Sequence, residues 1–153
     1  MRSALPTGVD PLLIETDEAL AALLRRVNTI ALVGASHKPE RPSYKVLAFL
    51  LAEGYQVTPV NPGLAGQELQ GQTVVASLNN IDHPIDMIDV FRDGSVLPDL
   101  LAETLAIGTP VLWTQLAVRH VDAEREALTQ GLDLVVDKCP LQEIPRLREK
   151  GLL

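Results

Sequence analysis

Thr29-Ile30-Ala31-Leu32-Val33-Gly34-Ala35-Ser36-His37-Lys38-Pro39-Glu40-Arg41-Pro42-Ser43-Tyr44-Lys45 reads as a strand, a tight loop and the first turn of a helix. Thr29 to Val33 is a short continuous run rich in β-branched residues, the pattern of a strand buried on both faces. Gly34 lets the chain turn sharply and come close to a ligand. Pro42 and Ser43 open a helix whose Val46, Leu47, Leu50 and Leu51 face a core, and Gly54 closes it.

The same alternation extends in both directions. Upstream, residues 1 to about 15 are irregular, broken by Pro6, Gly8 and Pro11. Thr16 then caps a helix over Asp17–Val27, with Asp17 and Glu18 in its first turn and Leu20, Leu23, Leu24 and Val27 on one face. Downstream, Tyr55–Val60 is a second strand in which Pro59 costs a ladder hydrogen bond. A polar, glycine-broken stretch reaches Gln72, and Thr73–Ala76 is expected as a brief third strand at the sheet edge. Ser77–Ile81 reads as a helical turn and Asp86–Phe91 as the fourth strand. A helix carrying Leu97, Leu100, Leu101 and Leu105 ends at Gly108. Pro110–Trp113 is the fifth strand, Asp122–Gln130 a helix and Asp133–Val136 the sixth strand. From Pro140 the tail forms a short helix interrupted at Pro145. Alternating strands and helices imply right-handed crossovers. The expected class is a doubly wound, mainly parallel, Rossmann-like α/β sandwich of three layers, forming a single domain over 1–153. Such sheets bind ligands beyond the carboxyl ends of their strands. Function should therefore lie in the loops after Val33, Val60, Phe91, Trp113 and Val136.

Composition narrows the partners. With 46% hydrophobic residues in 153, the chain can build one core and is not disordered. Twenty acidic against 13 basic residues give a net charge of −7, which argues against a general nucleic-acid or membrane-surface binder. Cys139 is the only cysteine, excluding a disulfide framework and a zinc site of several thiolates. No segment approaches the ~20 apolar residues of a membrane span, and no signal-peptide pattern opens the chain, so a cytoplasmic protein is expected.

Within the first loop, Lys38, Arg41 and Lys45 against Glu40 leave a formal excess of two positive charges, and Ser36 and Ser43 offer hydroxyls. A basic loop leading into a helix N-terminus suits a phosphate, although a merely solvated connection has the same composition. Ser36 stands where a dinucleotide fingerprint needs its second glycine, and Asn61 follows the second strand where an acidic ribose partner belongs. Both departures count against NAD. No P-loop follows either. Arg92 is either a bidentate clamp for an anion or the partner of a nearby aspartate. Trp113 is either a core filler or a ligand platform.

Taken together, Val33-Gly34-Ala35-Ser36, Lys38-Pro39-Glu40-Arg41-Pro42-Ser43, Pro59-Val60-Asn61-Pro62, Asp89-Val90-Phe91-Arg92, Trp113-Thr114-Gln115 and Asp137-Lys138-Cys139-Pro140 resemble the small stand-alone CoA-binding proteins. Those are similar to the N-terminal domain of the succinyl-CoA synthetase α subunit and of ADP-forming acyl-CoA synthetases. The resemblance implies that coenzyme A lies across the strand ends. Gly34, Ala35 and Ser36 would then meet the pyrophosphate or the pantetheine arm, and Lys38 and Arg41 would supply positive charge. Asn61 and Pro62 would line the nucleotide side. Val90, Phe91, Arg92, Trp113 and Gln115 would flank the pantetheine. Gly63-Leu64 replaces the Lys that family members commonly carry after the Asn-Pro pair, so a basic contact is missing there.

Synthetase chemistry in such relatives needs a histidine on a second domain. His37, His83 and His120 all fall in loops, none paired by sequence into a catalytic dyad, and no metal-ligand cluster is visible. The expectation is a binding protein for CoA or acyl-CoA without catalytic activity of its own. The alternatives are an NAD(P)- or nucleotide-binding protein on the same fold, or a subunit completing an acyl-CoA synthetase in trans.

Overall fold

The run Thr29–Val33 forms strand β1 with the predicted bounds, and four of its five residues are buried. In the computed structural model, which describes residues 13–153, β1 pairs in parallel with β2 (Gln56–Val60) on one side and β5 (Met87–Val90) on the other. Strands β6 (Val111–Thr114) and β7 (Asp133–Val135) continue beyond β5, giving the parallel order β2-β1-β5-β6-β7. The chain leaves β1 outward to β2 and returns to run the other way through β5, β6 and β7. That reversal opens a crevice over the C-terminal ends of β1 and β5.

Alternation along the strands fills two cores. Ile30, Leu32, Met87, Val111 and Trp113 pack under α1 (Asp17–Arg26), α2 (Pro42–Ala52) and α5 (Pro140–Glu149). Ala31, Val33, Ile88, Val90 and Leu112 pack under α3 (Leu97–Ala106) and α4 (Val121–Thr129). The fold is thus the expected Rossmann-like α/β sandwich. Thr16 caps α1 by accepting the Ala19 N–H at 3.2 Å. Asp17, in that helix's first turn, receives Arg146 at 2.8 and 2.9 Å and Lys150 at 2.7 Å, tying α1 to α5. These hydrogen-bonded cations hold the Asp17 carboxyl well below the usual carboxylate range. No helix among the described residues is long and apolar enough to cross a membrane.

Several boundaries differ from the sequence reading. Residues 1–12 of the expected irregular segment lie outside the described residues. Leu13 bridges Leu134, and the Ile14 N–H donates to the Leu134 carbonyl at 2.9 Å, so the chain runs along the outer edge of β7. The third strand is reduced to a single parallel bridge between Val75 and Val60. It lies at the sheet edge, as expected, next to β2, but Thr73 instead joins an antiparallel hairpin of β3 (Glu68–Leu69) and β4 (Gln72–Thr73). Pro59 costs the β1–β2 ladder nothing. Its carbonyl accepts the Val75 N–H at 3.1 Å, which turns its N–H-less side to the outer edge. Strand β5 starts one residue late because the Asp86 carboxylate accepts the N–H groups of Asn28 and Thr29 at 2.8 and 3.0 Å. Phe91 falls just past its end, β6 runs one residue further to Thr114, and β7 stops at Val135. Helix α5 continues through Pro145, which deprives only the carbonyl of Leu141, an exposed residue that water reaches.

Candidate functional site

Two cavities open over the strand ends, one on each side of the crevice. The first, about 490 Å³, lies over β1 and β2 and is walled by Gly34, Asn61, Pro62, Ser77, Arg92 and Glu103. The second, about 590 Å³, lies over β5, β6 and β7 between α2 and α5, where Lys45, Phe91, Arg92, Gln115, Leu116 and Cys139 meet. Arg92 lines both. Each volume falls in the range of small-molecule sites, roughly 300–1,000 Å³.

The turn after β1 is fixed mainly by the protein itself. Gly34 has φ +94°, and a Cβ there would stand 2.5 Å from the Phe91 carbonyl oxygen. The missing side chain therefore makes room for the neighbouring loop, while Gly34 itself also lines the first cavity. The N–H groups of Gly34 and Ala35 both donate to the Val60 carbonyl, at 3.0 and 3.2 Å, and the Phe91 N–H donates to Val33 at 2.8 Å. Asn61 closes the arrangement by donating from Nδ2 to the Ala35 carbonyl at 2.7 Å and accepting the Gly63 N–H at 2.8 Å. Asn61 thus lines the first cavity with its amide already engaged. Further along the loop, Ser36 Oγ accepts the Lys38 N–H at 3.1 Å. The backbone N–H groups of Ser36 and His37 have no acceptor among the described residues.

The basic residues divide into two sets. Lys45 and Arg92 line cavities, whereas Lys38 and Arg41 are exposed outside both. None of the four pairs with a carboxylate among the described residues. Arg92 is therefore not the partner of a neighbouring aspartate. Ser43 is buried as the second residue of α2 and lines neither cavity.

On the opposite side, Val90 and Trp113 are wholly buried. The Trp113 indole N–H donates to the Lys138 carbonyl at 2.8 Å, which makes this residue a core filler and removes the platform reading. Gln115, one step beyond on the same face, is only 6% exposed, and its Oε1 has no hydrogen-bond partner. Buried polar atoms are nearly always paired, so this unpartnered oxygen, itself shut off from solvent, is an exception in the wall of the second cavity. Beneath it lies Asp89, fully buried between Leu32 and Trp113 in the strand register, with neither carboxylate oxygen partnered. Burial pushes this carboxyl well above its ordinary value, because desolvation disfavours the charged form.

Asp99 and Glu103 of α3 line the first cavity and were not singled out from the sequence. Their i,i+4 spacing, which puts both on one helix face, was the available signal. The histidines have structural tasks or face solvent. His120 Nδ1 accepts the Ala123 N–H at 3.0 Å and caps α4. His83 pairs with its exposed neighbour Asp82 at 3.0 Å, in a loop that precedes β5 at the far end of the sheet from the cavities. His37 is exposed. No group of three His, Cys, Asp or Glu among the described residues could hold a metal.

A protein-family model described as a CoA binding domain matches residues 28–145. The uncharacterized protein YneT of Bacillus subtilis (strain 168) is 36% identical over 117 residues, covering 76% of this chain and 85% of that protein. A solved structure from Thermus thermophilus, cell-free ID.343, superposes with a TM-score of 0.83 at 41% identity, covering 87% of this chain and 99% of that one. A more distant likeness, in fold alone, is to the dinucleotide-forming acetyl-coenzyme A synthetase 1 of Ca. Korarchaeum cryptofilum. There the TM-score is 0.61 at 20% identity, over 74% of this chain and 27% of the synthetase. The matched region runs from the residue before β1 into α5 and so takes in both cavities and every element that walls them; the chain belongs to the CoA binding domain family.

Proposed function

We propose that the chain binds coenzyme A or a thioester of it, with the nucleotide in the first cavity and the pantetheine in the second, and performs no ligation of its own. The observation that carries this reading is the pair of cavities joined at Arg92, whose guanidinium pairs with no carboxylate among the described residues. An elongated ligand with anionic groups near its middle suits that layout. Arg92 would grip a phosphate bidentately. The N–H groups of Ser36 and His37, with Lys38 and Arg41 outside them, would add positive potential beside the N-terminus of α2. Gln115, which lines the second cavity, would pack against the pantetheine. Asn61 and Pro62 would shape the nucleotide wall, while Ala35, Val90 and Trp113 support it from within the core. The structural tasks of His83 and His120 support a binding role without turnover.

One observation favours a second reading. Asp99 and Glu103 bring carboxylates to the first cavity, and a carboxylate there could accept the ribose hydroxyls of NAD. Thermal unfolding with CoA, acetyl-CoA, NAD, NADP and ATP separates the two. A ligand at a hundredfold excess over its Kd stabilises by about 2.7 kcal/mol, roughly 5–11 °C in Tm for a chain of this size. CoA is expected to give such a shift and NAD none. A larger shift with NAD overturns the CoA reading. Mass spectrometry after incubation with a carboxylic acid, ATP, magnesium and CoA tests the absence of turnover, and catalytic amounts of thioester would refute it.

A further inference from the structure

We infer that the second cavity is an acyl pocket, selecting thioesters with short apolar chains over free coenzyme A; this rests on the CoA reading above and names the ligand class at the same site. Its rim carries two of the three exposed large hydrophobic residues among the described residues, Leu116 at 48% and Leu141 at 37% exposure. Leu116 follows β6 and Leu141 lies in the first turn of α5, so the two approach the cavity from different elements. Behind them the wall is apolar, with Val46 from α2, Phe91 from the β5 end and Cys139 from the start of α5. Exposed leucines converging on one concavity are surface that an apolar group can withdraw from water.

Gln115, just past the end of β6 and next to Leu116, lines this cavity too, so a pantetheine arm packed along it would carry its far end toward the leucines. The charged lining residues do not oppose an apolar chain. Lys45 and Arg92 are cations suited to the phosphate part of the ligand, and Asp93 already accepts the Ser95 N–H at 2.9 Å. The first cavity could not serve the same purpose, since Asp99 and Glu103 line it.

Calorimetry of the full chain with CoA, acetyl-CoA, butyryl-CoA, hexanoyl-CoA and succinyl-CoA tests the inference. Each methylene that becomes fully buried strengthens binding by up to about fourfold. Hexanoyl-CoA is therefore expected to bind at least about tenfold tighter than CoA, with butyryl-CoA between them. Succinyl-CoA, which ends in a carboxylate, should gain nothing over CoA. Leu116→Asp and Leu141→Asp, both at exposed positions, should abolish the acyl gain, so that hexanoyl-CoA binds no tighter than CoA to either variant. Equal affinity for CoA and hexanoyl-CoA, with CoA still binding, overturns the pocket and leaves the coenzyme reading standing. Tighter binding of succinyl-CoA than of butyryl-CoA overturns the apolar assignment. No binding by any member of the series removes both.

Discussion

The two sides of the crevice handle their polar groups in opposite ways. Over β1 and β2 the turn is closed on itself, because Gly34, Ala35, Val60, Asn61 and Gly63 donate to and accept from one another. Over β5 and β6, Gln115 Oε1 and both oxygens of Asp89 have no partner. The first side is a finished frame whose shape does not depend on a ligand. The second carries buried unsatisfied groups, which lower its stability in the free protein. Substitutions on the first side should therefore damage the fold, whereas those on the second should trade stability against binding.

The strongest test of that contrast is Gly34→Ala. A Cβ 2.5 Å from the Phe91 carbonyl oxygen, at φ +94°, requires the β1 and β5 ends to move apart. Overpacking and left-handed strain together cost about 2–5 kcal/mol, to be read from urea unfolding. A loss below about 1 kcal/mol would show that the frame is soft. Asn61→Ala removes both amide hydrogen bonds and should cost about 2–3 kcal/mol. Asn61→Asp, which retains the acceptor for the Gly63 N–H, should fall between Ala and the parent.

Asp89 predicts a pH effect of defined sign. Its folded value is raised, so the stability associated with it is fully present below the ordinary carboxylate value of 3.8 and is lost as pH rises toward and through the raised value. The slope is at most about 1.4 kcal/mol per pH unit. Asp17, Glu53, Asp86 and Glu124, held low by hydrogen bonds from cations or backbone, act in the opposite sense, adding stability present above their ordinary values and lost in acid. Asp89→Asn should flatten only the decline that sets in as pH rises above the ordinary carboxylate value, in a series of melts from pH 4 to 9. An identical pH profile in the variant would show that Asp89 does not titrate with folding. The smallest effect is expected for Gln115→Leu. Removing an orphan acceptor at nearly constant volume should stabilise the free protein by about 1 kcal/mol and weaken CoA binding about fivefold. Equal affinity in parent and variant would place the pantetheine elsewhere.

What the sequence disclosed follows from the range of the interactions involved. β1, its loop and α2 were readable because a β-branched run and a proline at the first helical turn act locally. The same holds for Thr16 as a cap and for Ser77–Ile81 as a helical turn. The conformation of the Gly34 turn could be anticipated, but not that Phe91 approaches it from a strand nearly sixty residues on. Trp113 likewise looked open to a ligand at a strand end, and only the position of the Lys138 carbonyl shows its indole to be engaged. Pro59 reads as a defect until the strand order places it at an edge. Among the proposed site residues, Gly34, Asn61, Pro62, Phe91, Arg92 and Gln115 line cavities. Ala35, Ser43, Val90 and Trp113 are buried, and Lys38 and Arg41 stand outside as exposed charges. Motif positions mark a region of the fold, and burial then divides it into surface and support.

The single bridges at the two margins of the sheet bear on how copies of the chain behave in concentrated solution. Val75 covers the outer side of β2 at Val60, and Leu13 covers β7 at Leu134. An uncovered parallel edge is a template onto which another copy can add a strand. Here each margin is shielded by one residue's backbone, reinforced on β2 by a proline that has no N–H to offer. Loosening either bridge would expose a sticky seam on which self-association can build, and at Val75 it would also disturb Val60 and Asn61 in the wall of the first cavity.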